Sequence, residues 1–414
     1  MSGFPFPLAD SADPGRPPRQ PGPWQRISIP ARRAVARATR RRRLAVVDSH
    51  FPWAISGFRY HEAEEIHRRR PDTLFFSLFH LTDPFPAPVH PLEAFPTLAP
   101  EAGITDVYMV FLNFAAGVLG VEGLDGVPAI PGARSDISLK ATLDRWGMRA
   151  HVTLYPGGGL LPDTDPSVIA AISRRSATVF TSIPELLGAG VNIVPAAVPV
   201  PADFYQLHER RVPRSAGLRI VFVGDDRPRK GLLVLLDAMS ELDAGFELDV
   251  IGPHERHADR LSAVGARCHG WLSPEKLREV LWQCDVVVSP ATRDLTSDGY
   301  GDTGMIDGFP TTAARVGMLA GCCLIASNPL SDNSMLQRGE DYVWVPERDP
   351  TALAKALRVA RENADAHRQI AACGASTIRR RCDVSVVVES KLARMGFSSR
   401  ARAVPLGELR DVQS

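Results

Sequence analysis

Short apolar runs recur along the chain, separated by charged stretches with helical spacing. Leu44-Ala-Val-Val-Asp48 reads as a fully buried strand, and a charged helical stretch, Tyr60 to Arg70, follows it. Further strand-like runs are Thr73–Leu78, Asp106–Leu112, Ala150–Tyr155, Thr178–Thr181 and Asn192–Pro195. Between Pro84 and Pro100 the pattern assigns no element. A second series starts after the polar, Arg-rich stretch His208–Gly217. Its strands are Leu218–Gly224, Phe246–Gly252, Cys284–Pro290 and Cys322–Ser327. Its helices are Leu232–Met239, one opening at Ser273-Pro274-Glu275, Thr311–Ala320 and Thr351–Glu362, the second marked by a capping Ser and a first-turn Pro. Strands alternating with helical spacers predict parallel sheets covered by helices on both faces. The expected fold class is α/β, with two Rossmann-like, doubly wound domains facing an interdomain cleft. The expected boundaries are an N-terminal arm over 1–42, an N-terminal domain over 43–205 and a C-terminal domain over 206–385. A C-terminal helix or tail over 386–414 completes the division, with a crossing back to the N-terminal domain as one option.

Length agrees with two domains, since 414 residues exceed one ordinary core. Hydrophobic residues at 44% and charged residues at 23% exclude wholesale disorder and a multi-span membrane protein. A formal net charge of +1 gives no argument for a nucleic-acid partner. The six Cys lie in the second half without a C-x-x-C pair, which argues against a zinc site or a disulfide framework and points to a reducing, cytoplasmic compartment. The apolar stretch Val107–Val121 is shorter than the roughly 20 residues a spanning helix needs, so it reads as buried core. Met1 to Pro23 is Pro-rich and lacks the apolar segment of a secretory signal. The following run, with Arg32, Arg33, Arg37 and Arg40 to Arg43, has two readings. It is a solvated basic arm, or a helix held peripherally to the inner face of an anionic membrane at about 1 kcal/mol per nearby cation.

Ligands of facing α/β domains collect at the carboxyl ends of the strands, so candidate chemistry lies in the loops there. Val223-Gly224-Asp225-Asp226-Arg227-Pro228-Arg229-Lys230-Gly231 places three cations before a helix, a setting suited to phosphate. A solvated Arg-rich turn is the plainer reading. Asp225 and Asp226 weaken the phosphate case unless they pair with Arg227 or Arg229, or turn away. Asp307-Gly308-Phe309-Pro310-Thr311-Thr312 precedes a helix that Thr311 or Thr312 can cap, leaving amides for a diphosphate and Asp307 for sugar hydroxyls. Gly299–Gly304 is a Gly-rich approach to the same helix. In the first half, Gly57 and Tyr155-Pro156-Gly157-Gly158-Gly159 leave room for an acceptor, with His151 or His61 as polar contacts; either His also fits a structural role.

These residues carry a resemblance. The second half resembles the donor domain of GT-B glycosyltransferases of family 4 (glycosyl transferases group 1). The matching motifs are Val223-Gly224 with Lys230-Gly231, Leu272–Leu277 followed by Cys284–Pro290, Asp307-Gly308-Phe309-Pro310 and Leu319–Ser327. The interdomain signature is similar to Ile193–Val198 with Phe204, and the first half resembles the family only through its first strand and Gly57. The resemblance implies a retaining, metal-independent transferase that takes a nucleotide diphosphate sugar as co-substrate, with no bound cofactor or metal. The partners it implies are that donor and a glycan or lipid-linked acceptor, in the setting of polysaccharide biosynthesis. Lys230, Asp307 and Arg229 then act on the leaving group and donor sugar. Gly224, Arg227, Gly308, Phe309, Pro310, Thr311 and Thr312 bind the donor, and Gly57 and His151 face the acceptor. The chain departs from the pattern at Asp225, where the family has Arg, at Asp307, a shortened Glu, and at Arg315, where a second Glu holds the ribose. Those departures keep open a degenerate protein that binds nucleotide, glycan or partner without turnover, and the fold alone also admits a sugar-nucleotide epimerase.

Overall fold

The computed structural model describes residues 42–54, 57–121, 137–160, 164–206, 217–292, 308–328 and 335–397. The basic arm up to residue 41, Gly299–Gly304 and Asp307 lie outside the described residues.

The N-terminal lobe is built on seven strands: β1 Leu44–Phe51, β2 Leu74–His80, β3 Val89–Pro91, β4 Asp106–Val110, β5 Arg149–Leu154, β6 Thr178–Thr181 and β7 Ile193–Pro195. They are all parallel, in the order β3-β2-β1-β4-β5-β6-β7. The C-terminal lobe has β8 Leu218–Val223, β9 Phe246–Ile251, β10 Arg267–Cys268, β11 Val286–Ser289, β12 Cys323–Ala326 and β13 Val343–Trp344. These too are parallel, ordered β10-β9-β8-β11-β12-β13. In each sheet the order reverses beside the first strand, at β1/β4 and at β8/β11, and a crevice forms at the carboxyl ends there.

The strands are continuous apolar runs because helices bury both faces of each sheet. Helices used below are α1 Phe58–Arg69, α2 Leu232–Ser240, α3 Pro274–Leu281, α4 Thr312–Leu319, α5 Pro350–Glu362, α6 Ala364–Cys382 and α7 Val384–Arg394. Side chains of Ser273, Thr311, Asp349 and Asp383 accept hydrogen bonds from the first turns of α3, α4, α5 and α7. The apolar stretch Val107–Val121 is not one strand. Phe111, at φ 73°, turns the chain after β4, and Leu112–Leu119 continues as a buried helix. The stretch between Pro84 and Pro100 holds β3 and a short helix, Phe95–Glu101, and β10 and β13 are two-residue edge strands. Such short pieces leave no hydrophobic period to read.

Two chain segments join the lobes and pair with each other. Val200 donates to Cys382 O at 2.8 Å, Val384 donates to Val200 O at 2.9 Å, and Ala202 N reaches Asp383 Oδ2 at 3.3 Å. Beyond this crossing α7 packs onto the N-terminal lobe, where Val388, Leu392, Met395 and Phe397 share a core with Leu44, Phe51, Ile66 and Phe75. Each such aliphatic or aromatic side chain contributes about 1.5–3 kcal/mol when fully buried. Phe397 also lies between the guanidinium groups of Arg42 and Arg70, at 4.5 and 4.9 Å from its ring centre. The C-terminal lobe therefore ends on the N-terminal one. Among the described residues no helix is long and apolar enough to cross a membrane.

Candidate functional site

A cavity of about 400 Å³ opens between the lobes, lined from both. That volume lies within the roughly 300–1,000 Å³ range of small-molecule sites.

The C-terminal side combines glycines with side-chain-bearing residues, among them Asp225, Lys230, Trp271 and Leu272. Gly224 ends β8, Gly252 ends β9, and both face the cleft. They sit so close that a Cβ on Gly252, at φ +129°, would lie 1.9 Å from the Gly224 carbonyl oxygen. Lys230 follows on a single 3-10 turn and lines the cleft, its stem packed over Gly224. Gly231 then starts α2 at φ +75°, where a Cβ would fall 1.9 Å from the Pro290 carbonyl oxygen. Only glycine lets β11 approach the Lys230 turn this closely. Across the cavity, Gly308 and Pro310 lead to α4, and Thr311 and Thr312 line the cleft at its N-terminus. Thr311 Oγ1 accepts from Ala314 N at 3.2 Å, fixing a helix end whose remaining amides have no intrahelical partner. A cation and a helix N-terminus thus face one space, an arrangement suited to an anion.

The other sequence-predicted residues are placed differently. Arg227 is held by Asp225 through its Nε at 2.8 Å, its Nη2 and its backbone amide. Burial works against ionisation of Asp225, yet these Arg227 bonds and the Arg227 and Lys230 charges outweigh it and bring its pKa down to about 2. Asp226 pairs with Arg256 at 3.5 Å. Arg229 is buried beneath the turn, its carbonyl accepting from Thr292 N. Phe309 is buried against Tyr342 rather than lining the cleft. Neither Arg227 nor Arg229 belongs to the cleft wall, so the cation presented there from this loop is Lys230.

On the N-terminal side the wall is made of side chains. Gly57, Phe58 and His61 from the start of α1 line it, with Tyr155 and Pro156 after β5. Phe58 packs edge-on against Tyr155 at 4.9 Å between ring centres. His61 Nδ1 lies 3.4 Å from Glu64 Oε2, and burial lowers its pKa against the pull of that carboxylate. His151, the acceptor-side expectation, is not on this wall. It is buried in β5 with Nε2 2.9 Å from Asp106 Oδ1, in a cluster that also holds Arg42 and Arg149. A buried carboxylate at the start of β4 needs these cations, which explains a histidine there without any ligand. The sequence singled out His61 as an alternative, but Phe58, Tyr205 and Trp271, which also line the cleft, carried no motif.

Arg315, at the position where a ribose-binding Glu was expected, is 1% exposed and turns to the lobe junction, donating to the Val198 carbonyl. Its Nε has no hydrogen-bond partner among the described residues.

Residues 217–363 match the profile of the family described as glycosyl transferases group 1. The matched span lies within the C-terminal lobe. The two lobes share their fold with solved GT-B glycosyltransferase structures. HepE of Anabaena, solved with UDP-glucose, superposes with a TM-score of 0.63 at 12% identity, covering 86% of this chain and 99% of that one. Sucrose-phosphate synthase of Thermosynechococcus elongatus gives 0.61 at 15% identity, covering 86% and 99%. A glycosyltransferase of Rickettsia africae gives 0.61 at 12% identity, covering 85% and 97%. Comparison with curated protein sequences gives no match. The lobe that matches the group 1 profile thus forms one side of the cleft, with Lys230 and the N-terminus of α4 on its surface.

Proposed function

We propose that this chain transfers a sugar from a nucleoside diphosphate sugar to a hydroxyl acceptor, with retention at the anomeric carbon. The observation that carries the reading is the placement of Lys230 and the α4 N-terminus on one cleft surface of a group 1 lobe. The bond between the anomeric carbon and the β-phosphate oxygen breaks, and the departing diphosphate gains charge. Lys230 and the α4 amides neutralise that charge; this is the source of the proposed independence from a metal ion. The acceptor oxygen forms the new bond on the same face, its proton passing to the departing phosphate. Asp307, which precedes Gly308 in the chain, is assigned the donor sugar hydroxyls. The acceptor, a glycan, a lipid-linked sugar or a small molecule, enters along the Phe58, His61 and Tyr155 wall. HepE was solved with UDP-glucose, which makes that compound the first donor to try.

A thermal-shift screen across nucleoside diphosphates, followed by incubation with the matching sugar nucleotides, tests this. Slow release of free nucleoside diphosphate, lost in Lys230→Ala, supports it, and NMR of the product reads the anomeric configuration. One observation favours a second reading: Arg315 faces the junction where a carboxylate for ribose was expected. On that reading the cleft binds a nucleotide or glycan without turnover. Stabilisation by nucleotide with neither hydrolysis nor transfer would favour it.

A further inference from the structure

The strongest side-chain cluster outside the phosphate surface is a buried one centred on Lys391 of α7. Its Nζ lies 2.5 Å from Glu62 Oε1, 2.6 Å from the Tyr155 hydroxyl, 2.9 Å from the Tyr108 hydroxyl and 3.2 Å from Thr153 Oγ1. The two tyrosine hydroxyls in turn donate to Glu62 Oε1 and Oε2, each at 2.8 Å. Lys391 and Glu62 are both 2% exposed, so this charge pair sits away from water.

Holding α7 in place does not require such a pair. Val388, Leu392, Met395 and Phe397 already bury against the lobe, and an apolar pair fills a core as stably as a buried ion pair. What the ammonium group adds is direction. It gathers oxygens from three separate elements, and two of those elements form the N-terminal cleft wall. Glu62 lies on α1 one turn beyond Phe58 and next to His61. Tyr155 is fully buried, its ring packed edge-on behind Phe58 of the cleft wall and its hydroxyl turned to Lys391, and Pro156 follows it. Pro156 also meets the donor loop, since a Cβ on Gly308 would come 2.7 Å from Pro156 Cγ.

We infer that Lys391 is a positioning residue for the acceptor wall: the helix returning from the C-terminal lobe fixes Tyr155–Pro156 and the start of α1 where they face the donor loop. The inference rests on the transferase reading for the word acceptor, but the geometry it asserts is measured without turnover. Lys391→Met and Tyr155→Phe are compared with the unaltered chain by hydrogen exchange, UDP titration, and UDP-glucose hydrolysis against transfer to free hexoses and methyl hexosides. The amides of 154–160 and 57–62 should exchange about tenfold faster, with β8 and β9 unchanged. UDP affinity should hold within about twofold, while the ratio of transfer to hydrolysis falls about fivefold as alignment is lost. Unchanged exchange at 154–160, or UDP affinity falling in step with transfer, overturns the inference. Should Lys391→Met fail to fold, Tyr155→Phe carries the test, because it keeps the ring and removes one oxygen. Absence of any turnover in the unaltered chain counts against the transferase reading alone, and the exchange result still decides the role of Lys391.

Discussion

The two lobes share one strand order over six strands, to which the N-terminal one adds β7, and they fix the shape of their halves of the cleft by different means. The C-terminal half brings Gly224, Gly252, Gly308 and the start of α4 to the cleft beside Asp225, Lys230 and Trp271. Its shape is set locally, by glycines such as Gly231 whose missing side chain admits a neighbouring carbonyl. The N-terminal half brings Phe58 and His61 to the cleft, with the buried Tyr155 behind Phe58 held by a charge pair 329 residues apart in the chain. A surface that reads phosphate with amides needs short, fixed spacings. A wall that is assembled from distant side chains can change its chemistry without changing its strands.

The largest effect expected of that contrast is on stability in the N-terminal lobe. Glu62→Gln leaves the Lys391 charge buried without its counter-ion and should cost about 3–5 kcal/mol in urea unfolding. Adding Lys391→Met to Glu62→Leu should restore much of the loss, because an apolar pair carries no unpaired charge. Additive losses from the two changes would show that the network is not a unit. Next is Lys230→Ala, expected to lower turnover about 10²–10³-fold with the fold intact. Unchanged transfer would remove Lys230 from the chemistry and leave α4 as the sole phosphate surface among the described residues.

This contrast also explains what the sequence disclosed. Val223-Gly224, Lys230-Gly231 and Gly308–Thr312 were legible because strand end, turn and helix start follow within a few residues, each with its own steric demand. The strand series of both lobes was legible for the same reason: burial on two faces leaves an uninterrupted apolar run. Lys391 carried no sequence signal, since nothing within its own helix announces Glu62, 329 positions away. His151 was offered as an acceptor contact beside a structural reading, and the structural partner, Asp106, lies 45 residues away where no local pattern shows it. Arg227 stood in a plausible phosphate loop, but Asp225 two positions earlier claims it.

Gly231→Ala tests whether local sterics set the C-terminal half of the cleft. The left-handed backbone alone costs a non-glycine residue about 1–3 kcal/mol. The clash with Pro290 O adds to it and should push Lys230 off the cleft surface. Reduced stability together with weakened UDP binding is expected. A loss of stability with unchanged UDP affinity would separate the turn from the binding surface.

The smallest effect expected separates attraction from repulsion within the donor half. Asp225 has its folded pKa lowered to about 2 from the ordinary 3.8. A lowered carboxylate pKa means the Arg227 pair contributes fully above 3.8 and is lost as pH falls toward 2. Asp225→Asn should flatten that part of the stability curve, by about 1 kcal/mol because Arg227 is largely exposed. The same change removes a negative charge from the cleft wall and releases Arg227 beside Lys230. UDP should then bind about threefold more tightly at pH 7, an advantage that fades with added salt. Weaker UDP binding instead would mean that Asp225 holds Arg227 in a binding pose, and the departure from the family's Arg would be a relocation of the cation rather than its loss.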